Sequence, residues 1–254
     1  MPEQFPIPNA IITEVGDGKV RLSEHGAQLS LPPLQGETYH NAQISDYGRA
    51  RDFRHQPPLK LHLRAHASDT ADNLRGTAGF GFWNHPFAPN ERGWRLPAAV
   101  WFFFSAPPSN MPLALNVRGY GWKAATFDAR RSLFYSLLPL APLGVLLMRA
   151  QRLYHRLWPI GQRALGVHEA LLPSHYLAES HSYTITWLPQ RVIFTVDEQT
   201  VLEAEVQIRG ALGFVAWMDN QYAVVTPQGR FRFGLVPIEQ AQSLTIEHIT
   251  IERL

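Results

Sequence analysis

The chain has no cysteine. Disulfides, thiolate metal sites and a cysteine nucleophile are excluded together. Charge is also sparse: Asp, Glu, Lys and Arg make up 17% of residues, for a formal net charge of +2. An imbalance that small gives no electrostatic footprint for nucleic acid, and no such partner is expected. No apolar run reaches the roughly 20 residues of a membrane-spanning helix. The longest, residues 133–148, is interrupted by Pro139 and Pro142. The start, Met1-Pro2-Glu3-Gln4-Phe5-Pro6, lacks a basic segment leading into an apolar one, so the expectation is a cytoplasmic chain able to lie at the membrane periphery. A glycine-rich phosphate loop, a Gly-x-Gly-x-x-Gly turn opening a helix and a Gly-x-Ser-x-Gly elbow are missing as well. His62 and His66 fall four apart on a strand, about 13 Å, too far to share an ion. No metal and no cofactor is expected.

What the chain does have is apolar material, 45% of its residues, arranged as short strands. Residues 59–65, Leu-Lys-Leu-His-Leu-Arg-Ala, alternate strictly, which predicts a strand with one buried face. Residues 77–83 are rich in Gly and aromatics. Residues 98–104 are wholly apolar and read as a strand buried on both faces. Further strands are predicted over 183–187, 191–196, 201–208, 212–217, 222–226, 230–235 and 244–251, with turns at Pro189-Gln190, Asp197-Glu198-Gln199 and Pro227-Gln228-Gly229. No linker divides the chain. The expectation is one all-β domain over residues 1–254, a two-sheet jelly-roll sandwich.

One segment departs from this rhythm. Residues 129–168 contain no Asp or Glu but six arginines: Arg130, Arg131, Arg149, Arg152, Arg156 and Arg163. Leu146, Ala150, Leu153, Leu157 and Ile160 recur at helical steps, with arginines on another face. This predicts an amphipathic helical insertion. Its arginines, Arg149, Arg152 and Arg156 above all, suit an anionic membrane surface or a partner; a homodimer through 129–168 is the alternative.

Three stretches resemble the concanavalin-A-like lectin/glucanase superfamily, family-16 glycoside hydrolases in particular. Tyr183-Thr184-Ile185-Thr186-Trp187 with Val192-Ile193-Phe194-Thr195-Val196-Asp197 resembles that family's Tyr-x-Ile-x-Trp…Ile-x-Phe-x-Val-Asp hairpin. Residues 244–253 resemble its closing strand. Gly79-Phe80-Gly81-Phe82-Trp83-Asn84 sits where the family places a Trp-bearing strand. The resemblance implies the fold. It does not carry over the activity, because the family's Glu-x-Asp-x-Glu catalytic strand has no counterpart. No acidic residue lies between Glu91 and Asp128, so this is not a standard family-16 enzyme.

Two functions stay open. The first is a binding module for a hydrophobic or amphipathic small molecule or a glycan. Its candidate ligand-binding residues are Trp83, Asn84, Trp101, Arg118, Trp122, Lys123, Trp187, Trp217, Asn220 and Tyr222. Indoles stack on rings, amides and phenols hydrogen-bond, and Arg118 and Lys123 suit an anionic group. The second is an enzyme of non-standard type, glycan-active or a small-molecule cyclase or isomerase. It would use Asp219, His85 or both as acid and base in a pocket covered by the insertion.

Overall fold

The computed structural model describes residues 7, 9–48, 52–86 and 95–254; residues 1–6 and Glu91, which entered the reading above, lie outside these. Eight strands come first: β1 Ile11–Val15, β2 Lys19–Ser23, β3 Gly26–Leu31, β4 Asn41–Ser45, β5 Leu59–Ala67, β6 Thr77–Trp83, β7 Ala98–Ser105 and β8 Gly121–Asp128. Three helices follow, α1 Ser132–Leu137, α2 Ala141–Leu147 and α3 Gln151–Leu165. The chain closes with β9 His168–Leu171, β10 His181–Trp187, β11 Val192–Val196, β12 Gln199–Ala204, β13 Gly213–Asp219, β14 Gln221–Val225, β15 Phe231–Leu235 and β16 Gln242–Arg253.

Two seven-stranded antiparallel sheets face each other. The first runs β1-β4-β13-β6-β7-β8-β9 and the second β12-β11-β10-β5-β16-β3-β2; β14 and β15 form a separate hairpin. Period-two alternation decides what lies between the sheets. From β5, Leu59, Leu61, Leu63, Ala65 and Ala67 are buried while Lys60 and Arg64 are exposed. The core is joined by aromatic rings reaching across from both sides. Phe80 meets Tyr183 at 5.2 Å, Phe102 meets Phe194 at 5.3 Å, and Phe82 meets Trp187 at 5.7 Å between ring centres. Burying each such ring contributes about 1.5–3 kcal/mol. The closing strand β16 is bulged between Glu247 and Thr250, with His248 at φ +51°.

The helices are an outgrowth of a hairpin loop. β8 and β9 pair directly, Thr126 opposite His168, so residues 129–167 connect two neighbouring strands. Asp128, fully buried, fixes the base: its carboxylate accepts from Arg130 Nε (2.8 Å) and from the Arg209 amide (2.8 Å). α3 ends at Gly166 in the left-handed region (φ +59°), where glycine avoids the cost a side chain would incur. Helical spacing predicts a stripe through Leu153, Leu157 and Ile160. The structure buries Trp158 and Ala164 instead and leaves Ile160 exposed, because α3 starts only at Gln151 and docks through Trp158, whose Nε1 donates to Leu113 O (2.7 Å). No helix among the described residues is long and apolar enough to cross a membrane.

Candidate functional site

Since Phe80 and Phe82 of β6 point into the core, Gly79, Gly81 and Trp83 point outward. The same parity puts Trp101 and Phe103 of β7, Lys123 and Ala125 of β8, and Val215 and Trp217 of β13 on that outer face. Register lines them up: Trp217, Gly79, Phe103 and Lys123 form one row across the sheet, and Val215, Gly81, Trp101, Ala125 and Glu169 the next. Each glycine therefore stands between large side chains. A Cβ on Gly79 would lie 2.4 Å from Phe102 O and 2.9 Å from Trp217 Cη2. One on Gly81 (φ +145°) would lie 2.5 Å from Val100 O and 2.6 Å from Trp101 Cα. With only hydrogen there, the rings settle onto the β6 backbone.

The result is an aromatic platform. Trp101 lies 5.2 Å from Trp217, 5.3 Å from Phe103 and 6.0 Å from Trp83, and Trp83 and Trp217 are nearly coplanar in tilt, 9° apart at 6.4 Å. Trp83, Trp101 and Phe103 are half-buried, so the platform meets solvent. Residues 98–104 were expected to be buried on both faces. The outer face of β7 is instead the centre of this surface.

Polar groups hold the rings. Trp83 Nε1 donates to the Tyr47 hydroxyl, which also lies 3.5 Å from His85 Nδ1. Trp217 Nε1 donates to Thr77 Oγ1 (2.9 Å), and the Thr77 hydroxyl donates to Asp219 Oδ1 (2.8 Å). Asp219 is buried, and burial pushes its carboxyl up to about 6 despite the bonds it accepts from Thr77 and the Gln221 amide. Tyr39, beside it, is pushed up by burial and then by the Asp219 charge. On the far side of the platform Lys123 and Glu169 form a buried ion pair at 3.2 Å, with side-chain exposures of 1% and 3%. Burial pulls Lys123 down and pushes Glu169 up, each against the attraction of the other. Glu169 also accepts from the Ala114 amide at 2.8 Å.

The structure sorts the sequence candidates. Trp83, Trp101 and Trp217 share the platform. Trp122 and Trp187 do not: both are wholly buried between the sheets and cannot meet a ligand. Asn84 is structural, bonded to Leu96 O and the Ala98 amide (2.8 and 2.9 Å). Asn220, also buried, accepts from the His40 amide and donates to Thr38 O, both at 2.9 Å. Tyr222 is buried on β14 beneath Gly234, with Arg232 over its ring at 5.7 Å. Lys123 is taken by Glu169, which removes it as an anion anchor; Arg118 lies exposed over the Tyr120 ring at 5.1 Å. The proposed acid–base pair is not assembled. Asp219 lies opposite Thr77 at one end of β6, and His85 follows Trp83 at the other, about 20 Å away along a strand. Arg149, Arg152 and Arg156 are exposed. Among the described residues no three metal-ligating side chains gather.

Sequence reasoning missed Tyr47, Phe103, Gln43 (opposite Trp217 on β4) and Glu169. Phe103 was legible, since it shares parity with Trp101; the others depend on distant pairings. A separate cleft of about 530 Å³ opens near Asp46, His55, Gln56 and residues 249–253. There the His55 ring donates to Asp46, whose other oxygen accepts the Phe214 amide at 2.8 Å.

No family model and no curated protein matches the chain. Solved structures do. The carbohydrate recognition domain of Emp47p aligns with a TM-score of 0.50 and 8% identity, over 99% of this chain and 91% of that one. The legume lectin-like domain from Entamoeba histolytica gives 0.49 and 7%, over 97% and 90%. The Crh5 transglycosylase in complex with NAG gives 0.48 and 10%, over 96% and 78%. At such identities the likeness is one of fold alone, the two-sheet β-sandwich that this chain shares with the Emp47p domain.

Proposed function

We propose that this chain is a glycan-binding module whose ligand lies across Trp83, Trp101, Phe103 and Trp217. The observation that carries the reading is the platform itself. Four large rings share the outer face of the sheet, each 5.2–6.4 Å from at least two of the others, and three of them are half-open to solvent. A pyranose offers a flat C–H face to an indole and a rim of hydroxyls to polar groups. His85 and Gln43, both half-buried, border the rings and supply that second kind of contact, with Tyr47 holding Trp83 in place beneath. Aromatic side chains suit such a ligand because they give large contact area at low entropic cost. That a solved carbohydrate recognition domain has the same fold supports the reading.

A glycan array probed with the full chain tests it, followed by calorimetry on the best ligand. Trp101→Ala should weaken binding on the order of tenfold or more, as expected of a central aromatic anchor, with circular dichroism at the assay temperature showing the variant still folded. An empty glycan array, or retention of an apolar small molecule in its place, rejects the proposal, as does a Trp101→Ala variant of unchanged affinity.

A further inference from the structure

The helical outgrowth and the β14–β15 hairpin stand some 80 residues apart in sequence, yet the fold joins them. Gly229, at the hairpin tip, sits against Val145 of α2: a Cβ there would lie 2.6 Å from Val145 Cγ1. Both pieces carry apolar side chains that the core does not use. Leu140, Leu143 and Leu146 are 62%, 56% and 57% exposed, and Phe231 and Phe233 on the hairpin are 69% and 66% exposed. Isolated exposed leucines mean little; a joined group of them marks a contact surface.

Within these two segments every Asp, Glu, Lys or Arg position is an arginine. Arg149, Arg152, Arg156 and Arg163 are exposed, as are Arg230 and Arg232 beside the two phenylalanines. None of the six has a salt-bridge partner among the described residues. Residues 129–168 and 226–238 contain no Asp or Glu at all. In a two-fold dimer each patch meets its own copy, so these arginines would face arginines. A surface that is apolar just below a layer of negative charge fits both features.

We propose that α1, α2, the start of α3 and the β14–β15 hairpin form one face that docks on an anionic lipid bilayer. The leucines and phenylalanines enter the headgroup boundary while the arginines pair with lipid phosphates and carboxylates. The face is distinct from the aromatic platform, and the proposal does not depend on the glycan reading.

Vesicle co-sedimentation of the full chain is the test, with phosphatidylcholine vesicles and with vesicles containing 30% phosphatidylserine; neither lipid carries a glycan. Binding is expected only to the anionic vesicles, and it should weaken as salt rises from about 50 to 500 mM. Arg149→Gln/Arg152→Gln/Arg156→Gln should lower partitioning on the order of 100-fold, roughly fivefold per arginine. Phe231→Ser/Phe233→Ser should lower it on the order of tenfold. All five side chains are exposed, so both variants should melt like the wild type. If the wild type stays in the supernatant with anionic vesicles at low salt, the proposal is wrong. Binding unaffected by either variant overturns it too. So does a dimer in sedimentation velocity that Phe231→Ser/Phe233→Ser dissolves, which would identify the face as an interface between two copies.

Discussion

Asp219 allows a test whose size follows from its surroundings. Its carboxyl is enclosed at the junction of β13 and β14, accepting from Thr77 and from the Gln221 amide, and burial raises it from an ordinary value of 3.8 to about 6. The folded state therefore holds this proton more tightly than the unfolded chain. Its contribution to stability is fully present below pH 3.8 and is lost as pH rises through 6. At 1.36 kcal/mol per pH unit the total is about 3 kcal/mol. Asp219→Asn removes the titration while keeping an oxygen for Thr77 and Gln221; its amide group can donate to the Tyr39 hydroxyl. Urea unfolding of both proteins at several pH values isolates the effect, since other titrating groups cancel in the difference. The stability of wild type relative to the variant should fall by about 1 kcal/mol between pH 5.0 and 7.5. A difference that stays constant over that range, or grows with pH, would show that the carboxylate is already ionised in the fold and refute the burial argument.

The remaining expectations concern the platform and its flank. Gly79→Ala presses on the Phe102 carbonyl and the Trp217 ring, so it should cost about 1–3 kcal/mol and weaken glycan binding together with it; Gly144→Ala on α2 meets nothing within 4 Å and should be neutral or stabilising by about 0.5–1 kcal/mol. Lys123→Met or Glu169→Gln alone leaves a buried charge unpaired and should cost about 3–5 kcal/mol in urea titration. The double variant, which keeps an acceptor for the Ala114 amide, should recover most of that loss. A double variant as unstable as the sum of its parents would mean that the two groups do not act as a pair.

Much of the sandwich was legible because its signals are local. The alternation of residues 59–65, the Tyr183–Val196 hairpin and the closing strand each declare a strand and its inner face within ten residues. The order of strands was not legible. β13 lies between β4 and β6, and β16 between β3 and β5; those neighbours are 130 residues or more away in the chain, and no local pattern records them. The start of α3 was misplaced for a related reason. Leu146, Ala150 and Leu153 are spaced for one helix, but the chain between Met148 and Ala150 turns instead, and docking on Leu113 then chose Trp158 for burial over Ile160.

The site shows the same division at the level of single residues. Seven tryptophans look alike in a sequence, and which of them can meet a ligand depends on parity. Lys123 next to Trp122 already implied the answer for β8, since only one of two successive side chains can enter the core. It held in an unexpected form, because Lys123 points outward and is nonetheless buried by its partner Glu169 and residues 111–114. The polar density of Asp219-Asn220-Gln221-Tyr222 suggested chemistry, yet Asp219 is satisfied by Thr77 and the Gln221 amide, and Asn220 by the backbone of Thr38 and His40, where β13 turns into β14. Buried amides and carboxylates must find partners wherever a chain reverses inside a protein, so such density marks a closed junction as readily as an open site. The platform is the opposite case. Three of its four rings are only partly covered, the glycines beneath them give up strand stability, and nothing in the core requires four large aromatics on an outer face. A surface that costs the fold something and is left half-open to water is where a ligand contact is expected, and for that reason Trp101, more than Asp219, is the residue on which the function should turn.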